Sequence, residues 1–258
     1  MGTIAAVSSR GASSAECGAA RQLAAAAFEE VTREFNAFDP ASRLNGLAPR
    51  TDAEILSAVS RSPHAACYRA AFALRRATEG AFDPRWKGAG TLDFGAIAKG
   101  YAVDLAAARL TADPKAARDL LLDLGGNLKS VGGTWRTGVK DPAGDGFVAT
   151  VALRSGEALA TSATYYRGRH IRDGRTGVPV TNGVASVTVL APSAMWADGL
   201  STTLFVLGSE EGRRFLGERL RELSGATEVA VLWVMDDGRR IRHDPAGRFA
   251  LAEDRPRR

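Results

Sequence analysis

Ala, Leu and Phe recur at helical spacing through residues 14–37, with Glu29, Glu30, Arg33 and Glu34 between them, and this period predicts a helix. Asp39-Pro40-Ala41-Ser42 stops it, and something new begins over Ser42 to Asn45. Two further helices are predicted over 51–60 and 63–79. Thr51 or Asp52 caps the first and Gly80 ends the second. Ahead of these helices, residues 1–8 (MGTIAAVS) read as a short strand. After Gly80 the chain turns at Asp83-Pro84, Gly88 and Gly90, then enters a helix over 95–111. The apolar run 119–124 (DLLLDL) reads as a strand that ends in the tight turn Gly125-Gly126-Asn127, where glycine tolerates a left-handed backbone. Strands follow at about 134–139, 147–153 and 157–161, and the β-branched run 185–190 (ASVTVL) is another. Helices over 195–207 and 209–223 precede a last strand over 228–235 (EVAVLWVM) and the turn Asp236-Asp237-Gly238.

Helices therefore dominate the first third, and strands mix with helices afterwards. The strands are too irregularly spaced for a doubly wound array, so the fold class is α+β. A length of 258 residues allows one large domain or two small ones and suffices for a sizeable core. The chain is 45% hydrophobic and 24% charged, an ordinary globular composition. Its net charge of +5 is spread over pairs such as Arg75-Arg76, Arg213-Arg214 and Arg239-Arg240, with some in the tail at Arg255, Arg257 and Arg258. Nucleic-acid binders show a dense basic stripe with aromatics, so no nucleic-acid partner is expected. The same charge suits an anionic small molecule such as a dinucleotide.

Cys17 and Cys67 lie outside any CxxC or Cys/His cluster, which excludes a zinc site and leaves two idle thiols or one disulfide. No run of 18 apolar residues exists, so no membrane span is expected. Residues 1–27 lack a basic start followed by an apolar core, and as written the protein is expected to be cytoplasmic. A removed leader would instead make it periplasmic or membrane-associated.

Three segments carry candidate chemistry. In the first, Asp93 precedes a glycine turn and a helix containing Lys99. Early helix amides lack internal partners and favour anions. Asp93 and Lys99 read either as ligand contacts or as a cap and a surface lysine. In the second, Thr161-Ser162-Ala163-Thr164 leads through Tyr165-Tyr166 to His170-Ile171-Arg172-Asp173-Gly174 in what reads as a long loop. Of three histidines (His64, His170 and His243), His170 stands among hydroxyls and an acid, and it is either a catalytic base or a solvated side chain. In the third, Asp198 and Thr202 stand four apart on one helix face. A carboxylate and a hydroxyl together suit Mg²⁺, which takes oxygen ligands, and they equally suit a helix cap.

In sequence order these segments resemble the ApbE family. LDFGAIAKGYAVD (92–104) carries its acid, glycine, lysine-glycine pair and distal Asp. LLDLGGNLKSVGG and WRTGVKDP resemble its glycine-rich strand end and the following strand. ALATSATYYRGRHIRDGRTGVPV resembles its TSG and HIIDP-TG segment, and SVTVLAPSAMWADGLSTTLFVLG its closing strand and metal helix. The opening MGT and FNAFDPASRLNGL match early family segments. The resemblance covers nearly the whole chain and implies a single domain over residues 1–258, with a mixed sheet core and flanking helices.

The family cleaves FAD and attaches the FMN half through a phosphoester bond to a threonine or serine of an acceptor flavoprotein, releasing AMP. The resemblance implies Mg²⁺ on the backbone carbonyl of Ala96 and the side chains of Asp198 and Thr202. It implies flavin contacts from Asp93 and Lys99, with Met1, Phe38 and Ile171 beside the ligand. His170 matches the general base, and imidazole suits proton transfer near neutral pH. Alternatives are a FAD pyrophosphatase that uses the same metal, and a flavin-binding protein without catalysis. The chain departs from the pattern in Thr161-Ser162-Ala163 for TSG and in Arg172 and Gly174 for the Ile and Pro of HIIDP. Only Arg85 to Thr91 separates Pro84 from Leu92, where family members carry a longer stretch containing tryptophan; Trp86 is what stands there here. Ser224-Gly225-Ala226-Thr227 resembles the acceptor motif, and it reads more simply as a polar turn.

Overall fold

The structure, a computed structural model, describes residues 3–113, 115–164, 170–223 and 228–252. Met1 and the segment 224–227 lie outside the described residues. The chain opens with strand β1 (Ala5–Ser9) and helix α1 (Ser14–Phe35). Ser13 and Glu16 start α1 with a reciprocal capping box. Its buried residues Ala20, Ala24, Ala27, Phe28, Val31 and Phe35 form one stripe at helical spacing. Helices α2 (Arg43–Leu47), α3 (Asp52–Ala58), α4 (Ala65–Ala77) and α5 (Ala98–Ala112) follow. Thr51 and Glu54 form a second capping box on α3.

Strands β2 (Leu120–Leu124), β3 (Asn127–Val131), β4 (Trp135–Lys140), β5 (Phe147–Leu153), β6 (Ala158–Ala163) and β7 (Val184–Ala191) follow. Helix α6 (Ala194–Glu218) then leads to β8 (Ala230–Met235), β9 (Arg240–His243) and β10 (Phe249–Leu251). Seven strands form one sheet in the order β1-β2-β3-β6-β7-β8-β9, and β10-β5-β4 form another. All of these strand pairs are antiparallel. The α+β class read from the sequence is the observed one.

The large sheet is the middle layer. Val187, Val189, Ala191, Val231 and Trp233 join the helical core on one face. Leu190, Leu232 and Val234, alternate residues of the same strands, join Val148, Val151 and Phe249 of the small sheet on the other. This is the period of two that a doubly covered sheet imposes. It explains why every residue of β7 is buried. No described helix is long and apolar enough to cross a membrane.

Helix α6 is broken at Gly208, whose φ of 75° is left-handed. The Asn182 side-chain amide donates to the carbonyls of Phe205 and Val206, just ahead of the break, at 2.8 and 3.1 Å. The two helices expected over 195–207 and 209–223 thus meet at this glycine. Strands β3, β9 and β10 and the one-turn helix α2 were not legible as periodic runs.

Arg248, just ahead of β10, grips Glu157 beside β6 through two hydrogen bonds of 2.7 Å. Burial pushes the Glu157 carboxyl up, but the bonds from Arg248 and the Arg154 N–H outweigh it and hold the carboxyl below its ordinary value of 4.5. Glu157→Gln should cost about 1.5–3 kcal/mol at neutral pH, the range for hydrogen bonds to charged groups. A depressed carboxyl contributes stability above its unfolded pKa and loses it as pH falls through the folded one. The gap between wild type and variant in urea melts should therefore be full above pH 4.5 and close as the pH drops further.

Candidate functional site

The candidate site is built where α5 crosses α6. The crossing is close because position 100 is glycine: a Cβ there would overlap the Ala194 carbonyl and stand 2.8 Å from Asp198 Cβ. One turn on, Asp104 accepts hydrogen bonds from Ser193 Oγ at 2.7 Å and from the Ala194 and Met195 amides at 3.0 and 2.9 Å. It also pairs with Lys129 at 2.9 Å. An aspartate from α5 thus satisfies amides at the start of α6, where negative charge is favoured. Asp104→Ala should destabilise the protein by about 1–2 kcal/mol, as cap removals do, and thermal unfolding would show it.

Asp198 lies more than one turn inside α6, so it is not that helix's cap; Ser193 is. The Asp198 residue is 5% exposed. Its Oδ2 accepts the Gly100 backbone N–H at 3.0 Å. Lys99 Nζ donates to its two oxygens at 3.1 and 3.2 Å and to the Gly95 carbonyl at 2.8 Å. The sequence places Lys99 one turn into its helix. The structure starts α5 at Ala98, so Lys99 is its second residue, and the free amide of that first turn meets Asp198.

Ser162 of β6 lies 3.0 Å from Thr202 Oγ1 and 2.8 Å from Ser201 Oγ, and Ser201 donates to the Asp198 carbonyl at 2.9 Å. Ala96 sits half-buried in the turn that opens α5, next to Gly95. Among the described residues no three His, Cys, Asp or Glu side chains cluster to hold a metal. The donors here are instead one buried carboxylate, hydroxyls and backbone carbonyls. Three of these oxygens already converge on a cation, the Lys99 ammonium. Such a hard, all-oxygen set fits magnesium.

A second cluster forms beside the start of α5. Asp93 Oδ1 accepts the Gly95 N–H at 2.9 Å, and Oδ2 pairs with Lys87 at 2.9 Å. The Lys87 ammonium stands 5.0 Å from the Trp86 ring centre and 5.5 Å from that of Phe38. Phe38 is 88% exposed. Arg172 covers Trp86 from the other segment at 5.6 Å. His170 is exposed at the head of that segment and Ile171 is buried. The segment folds back on itself: the Val180 N–H donates to the Ile171 carbonyl at 3.0 Å, and Arg172 bridges Pro179. Gly174 lies against the Gly80–Asp83 turn, where a Cβ would overlap the Gly80 carbonyl.

Asp198, Thr202 and Lys99 are thus brought into one set, extended by Ser162. Asp93 and Phe38 belong to the neighbouring set, which Arg172 links to the His170 segment. Sequence reasoning missed Ser162 as a partner of Thr202 and Asp104 as the acceptor for the first amides of α6. It also missed the Lys99–Asp198 pair; the glycine after Lys99 was the one local signal of a close crossing. Both cysteines are free thiols. Burial first, then the Asp198 charge, push the Cys67 thiol well above its ordinary range and leave it inert. Cavities of about 400 Å³ beside β1 and α1 and about 620 Å³ beside β9 are lined by none of these residues. The convergence of polar groups, not volume, marks the site.

Comparison with known proteins bears on the same segments. An FAD:protein FMN transferase of Rhodobacter capsulatus is 40% identical over 159 residues, 57% of this chain and 28% of that protein. One from Vibrio cholerae is 33% identical over 163 residues, 57% of this chain and 46% of that protein. The matched stretch thus spans less than half the length of either relative. The crystal structure of the ApbE protein from Thermotoga maritima superposes with a TM-score of 0.70 at 25% identity, over 92% of this chain and 91% of that one. The flavin transferase ApbE from Vibrio cholerae has the same fold, with a TM-score of 0.69 at 22% identity over 94% of each chain. The profile of the ApbE family matches residues 85–225. That match takes in more than half of the chain and both helices of the crossing, and the chain belongs to the ApbE family.

Proposed function

We propose that this protein is a FAD:protein FMN transferase: it cleaves FAD and joins FMN to a threonine or serine hydroxyl of an acceptor protein. The observation that carries the reading is the all-oxygen set around Asp198, held together by a crossing that joins two family segments. The Asp198 carboxylate, the Thr202 hydroxyl and the Ala96 carbonyl would hold Mg²⁺. Bound there, the ion would neutralise charge on the phosphate oxygens and ease departure of AMP.

The chain's own residues do the rest. Asp93 accepts hydrogen bonds from the flavin nucleotide, and Phe38 and Ile171 pack beside it. Lys99 supplies positive charge toward it. His170 takes the proton of the acceptor hydroxyl as its oxygen attacks the FMN-side phosphorus. The new P–O bond is the phosphoester; the bond to the AMP phosphate breaks, and AMP leaves with the electron pair. Positioning and electrostatics supply the rate, as they do for phosphoryl transfer.

The test is AMP release from FAD and Mg²⁺ by chromatography, with and without an acceptor domain. Wild type should release AMP in step with acceptor modification, and His170→Ala should be about 10²–10⁴-fold slower, the range for a general base. AMP release that ignores the acceptor would make the protein a FAD pyrophosphatase. FAD bound but left intact would make it a flavin-binding protein.

A further inference from the structure

We propose that Lys99 is a tethered counter-ion of the metal site: its ammonium holds the Asp198 carboxylate in the metal-free protein, and an incoming divalent cation must displace it. This rests on the reading of Asp198 as a metal ligand. The Asp198 side chain is 7% exposed and that of Lys99 24%. A carboxylate so buried is costly without a partner. It has one backbone donor, Gly100, and one cation, Lys99.

The placement of Lys99 gives the second argument. It is the second residue of α5, the end of a helix where positive charge is disfavoured. Its ammonium reaches back to the Gly95 carbonyl and across to both oxygens of Asp198. A lysine placed against its own helix dipole needs a compensating anion, and Asp198 of α6 supplies one. Three oxygens within 3.2 Å of one nitrogen are also what a small cation would seek. A divalent ion binds oxygen at shorter range than an ammonium, so it would draw Asp198 in and repel Lys99. At 24% exposure the Lys99 side chain already reaches solvent, which gives the displaced ammonium somewhere to go.

The test uses the full chain. Affinity for Mg²⁺ and Mn²⁺ would be measured by calorimetry, and metal-free stability by thermal unfolding, for wild type, Lys99→Met, Asp198→Asn and the double variant. Lys99→Met should bind either ion roughly tenfold tighter or more, because a like charge is gone. Its metal-free form should melt below wild type, and adding Asp198→Asn should restore the melting temperature. Asp198→Asn should bind neither ion. In the wild type, the Lys99 ammonium resonance should shift on Mg²⁺ addition, an observation that needs no variant to fold.

Equal or weaker metal affinity in Lys99→Met, with Asp198→Asn still blind to metal, would overturn the counter-ion role alone. A Lys99 resonance indifferent to bound Mg²⁺ would do the same. No metal binding to wild type or to Lys99→Met would overturn both this inference and the metal reading beneath it.

Discussion

Asp198→Ala should lower FMN transfer by about 10³-fold or more, since charge stabilisation by a bound metal is worth several kcal/mol and each 1.4 kcal/mol is tenfold. The variant should still fold. Its Lys99 is partly exposed and can turn to solvent, while the Gly100 N–H loses its acceptor at a cost of about 1–2 kcal/mol. Asp198→Asn separates the two effects. It keeps an oxygen for Gly100 and removes the charge, so it should recover stability and not activity. AMP release and thermal unfolding, measured on both variants, check this directly.

Gly100→Ala adds a single methyl and should be strongly destabilising. The added Cβ meets the backbone carbonyl of Ala194 and the Cβ of Asp198, neither of which can rotate away. The helices must separate, and overpacking of this kind costs about 3 kcal/mol or more. For a chain of this size that is a fall of roughly 6–12 °C in melting temperature. The displacement also pulls Lys99 and the Gly100 amide from Asp198 and loosens the grip of Asp104 on α6. Activity should therefore fall further than the loss of folded protein explains. Gly46→Ala is the control: the same change there meets nothing within 4 Å, and it should leave melting temperature and activity close to wild type.

The long periodic elements were legible because their burial is one-sided or complete. The α1 stripe from Ala20 to Phe35 and the uniformly buried β7 announce themselves in any window. Strand β3 did not, because its five residues NLKSV bury only Asn127 and Ser130 and show no alternation. Strand β9 is RIRH at the sheet edge, with one apolar residue, and β10 has three residues held by β5. Pairing partners far away in sequence define such strands.

The site divides in the same way. Asp198 and Thr202 at helical spacing, and Asp93 before a glycine turn, are local patterns that a single sequence displays. The pairing of Lys99 with Asp198 joins positions 99 residues apart, and so does the hydroxyl contact of Ser162 with Thr202, 40 apart. Only the packing of α5 on α6, and of β6 on α6, creates them. Asp104 shows the point most clearly. In sequence it is the distal Asp of a family segment with no partner in view, and in the fold it sets the start of the helix that carries Asp198.

Group transfer to protein is decided by mass spectrometry of an acceptor domain incubated with this protein, FAD and Mg²⁺. The acceptor should gain one FMN unit on a threonine or serine, and EDTA or Asp198→Ala should prevent the gain. An acceptor modified equally well with EDTA present, or by Asp198→Ala, would contradict it.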